Sequence, residues 1–212
     1  GENYEGGRGV PRDEKIASKW FNAAFKEYKR IVDREHDQTL SDNVYYKLGV
    51  LYGDGKGVPQ DEKAAVKWFT LAADQGYSYF QLMLAHRYKN GEGVPQDDEA
   101  AIKWYTRAAE QRDSEAQYEL GRIYMEKKDP HQNYTLAYMW LSISASQGNE
   151  LARKGQDYLK KNMLPAQIKS AEDLIREYIE RMTPFQQIVL AQRYENGEGV
   201  PQDDEAAIKW YT

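Results

Sequence analysis

Apolar and small residues recur along the chain at the three- and four-residue spacing of helices that are buried on one side. In residues 44–52 the apolar positions share one helical face: Val44, Leu48, Leu51 and Tyr52. The Gly-rich segment 55–59 then ends this helix, because glycine adopts left-handed backbone conformations and because Pro59, the last residue of the segment, cannot continue a helix. Asp61 is suited to cap a second helix, which carries a row of small and aromatic residues: Ala65, Trp68 and Ala72. The pattern predicts a hairpin of helix A, a loop and helix B.

This hairpin recurs with a period of about 36 residues. Residues 90–106 and 196–212 share the same seventeen letters, and residues 53–70 and 5–22 are looser copies. The tryptophans keep one place in the unit, with spacings of 48, 36, 36 and 70 residues: Trp20, Trp68, Trp104, Trp140 and Trp210. The first spacing exceeds the period by 12, which predicts a 12-residue insertion within about Lys26–Ser41. Since one hairpin cannot bury its own tryptophan, we expect the neighbouring hairpin to cover it.

Two further columns define the packed face of helix A. Small residues occupy one column, where we expect them to let the partner helix approach closely: Gly49, Ala85, Gly121 and Ala191. Tyrosines occupy the other and are predicted to belong to the core: Tyr52, Tyr88 and Tyr124. Four segments follow from the repeat frame. They are a partial first repeat with the insertion (1–41), three regular repeats (42–149), a degenerate repeat or cap-like helices (150–184), and the truncated start of a further repeat (185–212).

The unit resembles the Sel-one-like repeats, relatives of the tetratricopeptide repeats. The matching positions of helix A are Ala116, Leu120, Gly121 and Tyr124, and those of the loop and helix B are Gly91, Gly93, Val94, Asp97, Ala101, Trp104, Ala108 and Ala109. A period of 36 favours this family over tetratricopeptide repeats, whose period is about 34. The resemblance implies an all-α fold, a right-handed α/α superhelix or solenoid with helix A on its concave side, acting as an adaptor for protein complexes. Residues 127–133 and 151–181 depart from the pattern.

Candidate partner-binding residues follow from the packing column. Positions three before, one after and five after that column are predicted to point away from the packed face. They vary between repeats and form three sets: Tyr46, Val50 and Asp54; Leu82, His86 and Asn90; Tyr118, Arg122 and Glu126. Their aromatic and apolar members have the residue types that dominate binding energy at protein interfaces.

Composition and motif content argue against several other classes of function. The net charge is −5 with interleaved signs, so no basic stripe for nucleic acid is present, and no apolar run is long enough for membrane insertion. Cysteine is absent, and the three histidines form no metal or protease motif: His36, His86 and His131. The charged run 33–37 is interpreted as the solvated end of the inserted helix. We therefore expect no enzyme activity, no metal and no cofactor.

The sequence thus predicts a non-catalytic scaffold that binds a peptide or helix of another protein on its concave surface. Two alternatives stay open: a bacterial envelope protein that binds cell-wall fragments or weakly hydrolyses β-lactams, and a structural array that self-associates through truncated repeat ends. These residues include no targeting segment. The compartment therefore stays open between the bacterial envelope or periplasm and the cytoplasm.

Overall fold

The computed structural model describes residues 2–6, 13–34, 42–126 and 130–181, and its regular elements are ten α-helices. In chain order they are α1 Glu2–Gly6, α2 Glu14–Arg34, α3 Asp42–Asp54, α4 Glu62–Asp74, α5 Ser78–Asn90, α6 Asp98–Glu110, α7 Ser114–Glu126, α8 Pro130–Ser146, α9 Glu150–Asn162 and α10 Pro165–Glu180. The predicted final repeat, residues 185–212, lies outside the described residues, as does the 35–41 part of the predicted insertion.

The helices repeat with the period of the sequence. The A helices α3, α5 and α7 have 13 residues each and begin at Asp42, Ser78 and Ser114, which are 36 positions apart. The B helices α4 and α6 also have 13 residues each and begin at Glu62 and Asp98, again 36 positions apart. The predicted all-α fold of helix–loop–helix repeats is therefore confirmed.

Helices A and B of one hairpin approach closely at the small-residue column. A Cβ atom added to Gly49 of α3 would lie 2.6 Å from a ring carbon of Phe69 on α4. At Gly121 of α7 an added Cβ would lie 2.5 Å from Leu141 on α8. Both distances are shorter than a Cβ atom tolerates, so the two helices approach closely at Gly49 and Gly121, as predicted for these two positions of the column.

The loops between the two helices have the predicted structure. Gly57 and Gly93 occupy the same loop position, with φ values of +75° and +74°, which favour glycine. Asp61 caps α4 by accepting a hydrogen bond from the backbone N–H of Ala64 at 2.9 Å. Asp97 accepts the equivalent bond before α6. Since the loop recurs with its caps, it is a structural connection, as expected.

The chain forms two compact units, residues 1–104 and 105–212, with the boundary inside α6. In the first unit, the fully buried leucines are Leu48 of α3 and Leu84 of α5. In the second unit a cluster is centred on Leu141 of α8 and Leu159 of α9, both fully buried. Within the described residues, no helix combines the length and the apolar character needed to cross a membrane.

The second unit ends in a helix that departs from the hairpin pattern. α10 packs mainly against α8, where its Ala171 joins the buried cluster of α8 and α9. The Tyr178 hydroxyl donates to the carbonyl oxygen of Ala109 at 2.9 Å, and its ring lies edge-on to Trp140 with centroids 5.6 Å apart. This anchoring attaches α10 to the end of α6 and to α8.

Candidate partner-binding surface

A cleft of about 530 Å³ opens in the first unit between α1, α2 and α3. Its α2 wall carries Trp20, Phe21, Ala24 and Tyr28, and its α3 wall carries Tyr46, Lys47, Val50 and Leu51. Two of the predicted binding residues, Tyr46 and Val50, therefore line the same cleft. Its volume falls within the range of about 300–1,000 Å³ that is typical of binding clefts.

Trp20 departs from the repeat pattern. The equivalent Trp104 and Trp140 are both only 8% exposed, whereas 57% of Trp20 is exposed. The expectation that a neighbouring hairpin covers each tryptophan is therefore wrong for the first repeat. An indole in contact with solvent at a cleft is a common anchor for a partner.

The contact between α2 and the next loop also departs from the repeat pattern. Gly93 packs against Glu62 at the start of α4, where an added Cβ would lie 2.5 Å from the Glu62 carbonyl oxygen. Gly57, its equivalent one repeat earlier, packs instead against Asn22 within α2. The Asn22 side-chain amide also donates to the Gly57 carbonyl oxygen at 2.7 Å.

The two loops thus contact different positions along the B helix of the preceding repeat. In the repeat frame Asn22 of α2 corresponds to Thr70 of α4, which lies eight residues after Glu62. Eight residues are about two helical turns. α2 is also longer than α4, with 21 residues against 13. The loop therefore meets α2 about two turns further along, a change of register at the junction where Trp20 is uncovered.

Two lysines lie at the cleft with different charge environments. Lys56 forms ion pairs with Glu5 at 3.3 Å and Asp54 at 3.2 Å. Burial lowers the pKa of Lys56, but hydrogen bonds to these two carboxylates outweigh burial and raise the pKa above its usual value. Lys47 is exposed, and its ammonium group lies 5.6 Å from the centre of the Tyr28 ring. Among the described residues, Lys47 has no ion-pair partner.

Tyr46 connects the cleft to a second group of aromatic rings. Its ring centre lies 5.9 Å from Phe69, 6.0 Å from Tyr79 and 5.2 Å from Phe80. Tyr77 joins the group through Phe80, with ring centres 6.1 Å apart. Tyr77 and Tyr79 are each more than half exposed. The aromatic surface, defined as Trp20, Tyr28, Tyr46, Tyr77, Tyr79 and Phe80, thus includes both the cleft and its neighbouring rings.

The Tyr46 hydroxyl stays protonated at all physiological pH values. Burial raises the pKa of Tyr46 to about 12, and the hydrogen bond and charge of Tyr79, with the charge of Asp54, add to the effect. A protonated phenol can both donate and accept a hydrogen bond, and the Tyr46 hydroxyl already forms one with Tyr79. Asp54 itself is exposed and is held by the Lys56 ion pair.

The second predicted set lies on α5 and is more polar. Leu82 and His86 are half-buried, and Asn90 is exposed at the helix end, where its side-chain amide donates to Glu92 at 2.9 Å. None of these three residues lines the cleft. The structure therefore brings Tyr46 and Val50 together but does not add the α5 set to them.

The third predicted set lies on α7 in the second unit. Tyr118 packs against the buried cluster of α8 and α9. Arg122 lies between two carboxylates of its own helix, 3.6 Å from Glu119 and 3.8 Å from Glu126. Within this set, the tyrosine therefore contributes to the core of the unit. Arg122 forms ion pairs along its own helix, although its buried Nε atom has no hydrogen-bond partner among the described residues.

The profile of the Sel1 repeat matches residues 1–27, 43–77, 78–113, 114–149 and 187–212, which make up most of the chain. The chain belongs to the Sel1 repeat family. Proteins of this family are generally scaffolds for protein interaction and are typically non-catalytic. Among the described residues, no group of three histidine or carboxylate side chains is placed to hold a metal ion.

A solved Sel1 repeat structure shares the fold. A Sel1 repeat protein from Oxalobacter formigenes is 25% identical, with a TM-score of 0.53, over 92% of this chain and 82% of that one. A protective antigen of uropathogenic Escherichia coli strains, which displays an SLR fold, is 29% identical with a TM-score of 0.46. That alignment covers 99% of this chain and 51% of the antigen, so the chain spans about half its length. No curated protein matches the chain in sequence.

Sequence reasoning missed two features of this Sel1 repeat chain. The cleft residues Trp20 and Tyr28 were absent from the predicted set, although the 12-residue excess in tryptophan spacing marked the junction as irregular. A second cavity of about 330 Å³ lies in the other unit between α8 and α10, beside Trp140 and Tyr178. It depends on the packing of α10, for which the repeat pattern gives no signal.

Proposed function

We propose that this Sel1 repeat chain is a non-catalytic adaptor that binds a peptide or a helix of a partner protein, and that the aromatic surface of its first unit provides most of the affinity. The observation that carries the proposal is the cleft that is lined by both the exposed Trp20 and Tyr46. Partly exposed tryptophan and tyrosine beside a concavity are the residues and the shape enriched at binding hot spots. The predicted Val50 contributes an aliphatic wall to the same cleft.

The uniqueness of this junction within the described repeats supports a role beyond folding. Contacts that recur in every hairpin, such as the capped Gly-rich loop, are explained by the stability of the array. The exposed Trp20 and the shifted loop contact at Asn22 are not copied at the next repeat, where Gly93 meets Glu62. Exposed apolar surface of this kind on a folded chain commonly marks an interaction site.

The test uses residues whose side chains are already largely in solvent. Replacing Tyr46 or Tyr118 would disturb packing as well as binding, because both contact buried clusters. Trp20 is 57% and Tyr79 54% exposed, so Trp20→Ala with Tyr79→Ala should leave the fold intact. The matched control is Tyr158→Ala with Leu164→Ala in the second unit, where these side chains are 54% and 59% exposed.

Affinity capture from a lysate of the source organism compares the unchanged chain with the two double variants. We expect at least one protein that the unchanged chain and the control variant retain and that the Trp20/Tyr79 variant loses. Circular dichroism checks that all three chains have the same helix content. Capture of the same proteins by all three chains, or of none, would rule out the aromatic surface as the binding site.

A further inference from the structure

The charges around the cleft indicate what kind of partner segment fits it. Lys56 is neutralised by Glu5 and Asp54, so it offers little attraction to a ligand. Lys47 has no ion-pair partner among the described residues, and its ammonium group lies over the Tyr28 ring at the cleft. A cation held against an apolar wall attracts a carboxylate that arrives beside an apolar side chain.

From this arrangement we infer that the cleft takes an acidic peptide segment, in which an aromatic or large aliphatic side chain enters beside Trp20 and an adjacent Asp or Glu pairs with Lys47. The inference rests on the proposed function and adds the chemistry of the partner to it. A single unpaired lysine suits one side-chain carboxylate. It does not suit a nucleic acid, whose backbone needs a row of cations.

The cleft lining also includes a negative charge. Glu2 of α1 lines the cleft and is exposed, whereas Lys47 lies on α3. A carboxylate of the bound segment is attracted where it lies close to Lys47 and repelled where it lies close to Glu2. Glu2→Gln should therefore strengthen the binding of acidic peptides, whereas Lys47→Gln should weaken it.

A random peptide library displayed on phage and selected on the full chain tests the inference. We expect the enriched peptides to share an aromatic, Leu or Ile residue with an Asp or Glu next to it. Synthetic copies should bind the Trp20→Ala variant about thirty-fold more weakly, the loss typical of a hot-spot residue. Lys47→Gln should weaken binding about three- to five-fold, as expected for a solvent-exposed ion pair.

The matched control is Lys67→Gln, because Lys67 is an exposed lysine of α4 outside the cleft. This variant should leave the affinity for the peptide unchanged. A peptide with Asn or Gln in place of its acidic residue should bind Lys47→Gln and the unchanged chain with the same affinity. Peptides that depend on Trp20 but carry no acidic residue and ignore Lys47→Gln would overturn this inference and leave the proposed function standing. If no selected peptide depends on Trp20, the proposed site fails and the inference fails with it.

Discussion

At the scale of single residues, two glycines of α3 show how strictly the hairpin controls side-chain size. Gly49 faces the ring of Phe69, which is almost fully buried, so an added Cβ at 2.6 Å has no room. Gly53 lies one turn later, and its nearest neighbour would be the Ala65 methyl group at 3.6 Å, an ordinary contact distance. The same substitution should therefore have opposite effects at the two positions.

Gly49→Ala should lower the free energy of unfolding by about 1–3 kcal/mol, because an overpacked core must shift to admit the methyl group. Gly53→Ala should raise it by about 0.5–1 kcal/mol, because alanine loses less backbone entropy in a helix and fits the space. Urea denaturation followed by circular dichroism measures both. Equal shifts of the two midpoints in one direction would contradict the close approach at Gly49.

At the residue scale, the sequence predicts which positions are packed but not which neighbours they contact. Recurrence of Gly or Ala at Gly49, Ala85 and Gly121 predicted a close helix–helix approach, because only a packing constraint keeps one column small. Tyr46 was predicted to face outward from its helical position, and it does line the cleft. That its ring also contacts Phe69 and Phe80 could not be predicted, because such contacts depend on the neighbouring helices.

At the scale of elements, an amphipathic pattern predicts a helix but not the surface that it meets. α10 carries Ala171, Ile175 and Ile179 at helical spacing, which is sufficient to predict a buried face. It packs mainly on α8, and this choice depends on Tyr178 reaching Ala109 and Trp140. The 12-residue excess near α2 was likewise visible, but an insertion can form a loop or lengthen a helix with equal ease. The cleft at Trp20 was therefore not predictable.

Tyr178→Phe should loosen α10 without unfolding the unit. The change removes the hydrogen bond to the Ala109 carbonyl oxygen, which contributes about 1 kcal/mol. The Gln117 amide, which also contacts the Tyr178 hydroxyl, keeps its own 3.0 Å bond to Ala109. We expect amide hydrogen exchange in α10 to become about five-fold faster, which corresponds to that energy. Tyr158→Phe on α9 is the matched control, since the Tyr158 side chain is largely exposed, and its exchange rates should not change.

At the scale of the whole molecule, a substitution in a repeat array destabilises mainly the hairpin that carries it, because each hairpin contacts only its neighbours. Leu48 in the first unit and Leu141 in the second are both fully buried, so Leu→Ala at either position should cost about 2–5 kcal/mol. The two variants are matched in chemistry and burial and differ in their position relative to the cleft. Leu48 lies on α3, the helix that supplies Tyr46 and Val50 to the cleft wall.

Leu48→Ala should therefore weaken binding of a cleft-selected peptide, whereas Leu141→Ala should leave its Kd unchanged within about two-fold, the usual limit for independent sites. Hydrogen exchange followed by mass spectrometry should show faster exchange in residues 42–90 for the first variant and in residues 130–162 for the second. If Leu141→Ala weakened the peptide as strongly as Leu48→Ala, the cleft would depend on the second unit as well. Binding would then be a property of the complete array, and the cleft would have to be regarded as one part of a larger site.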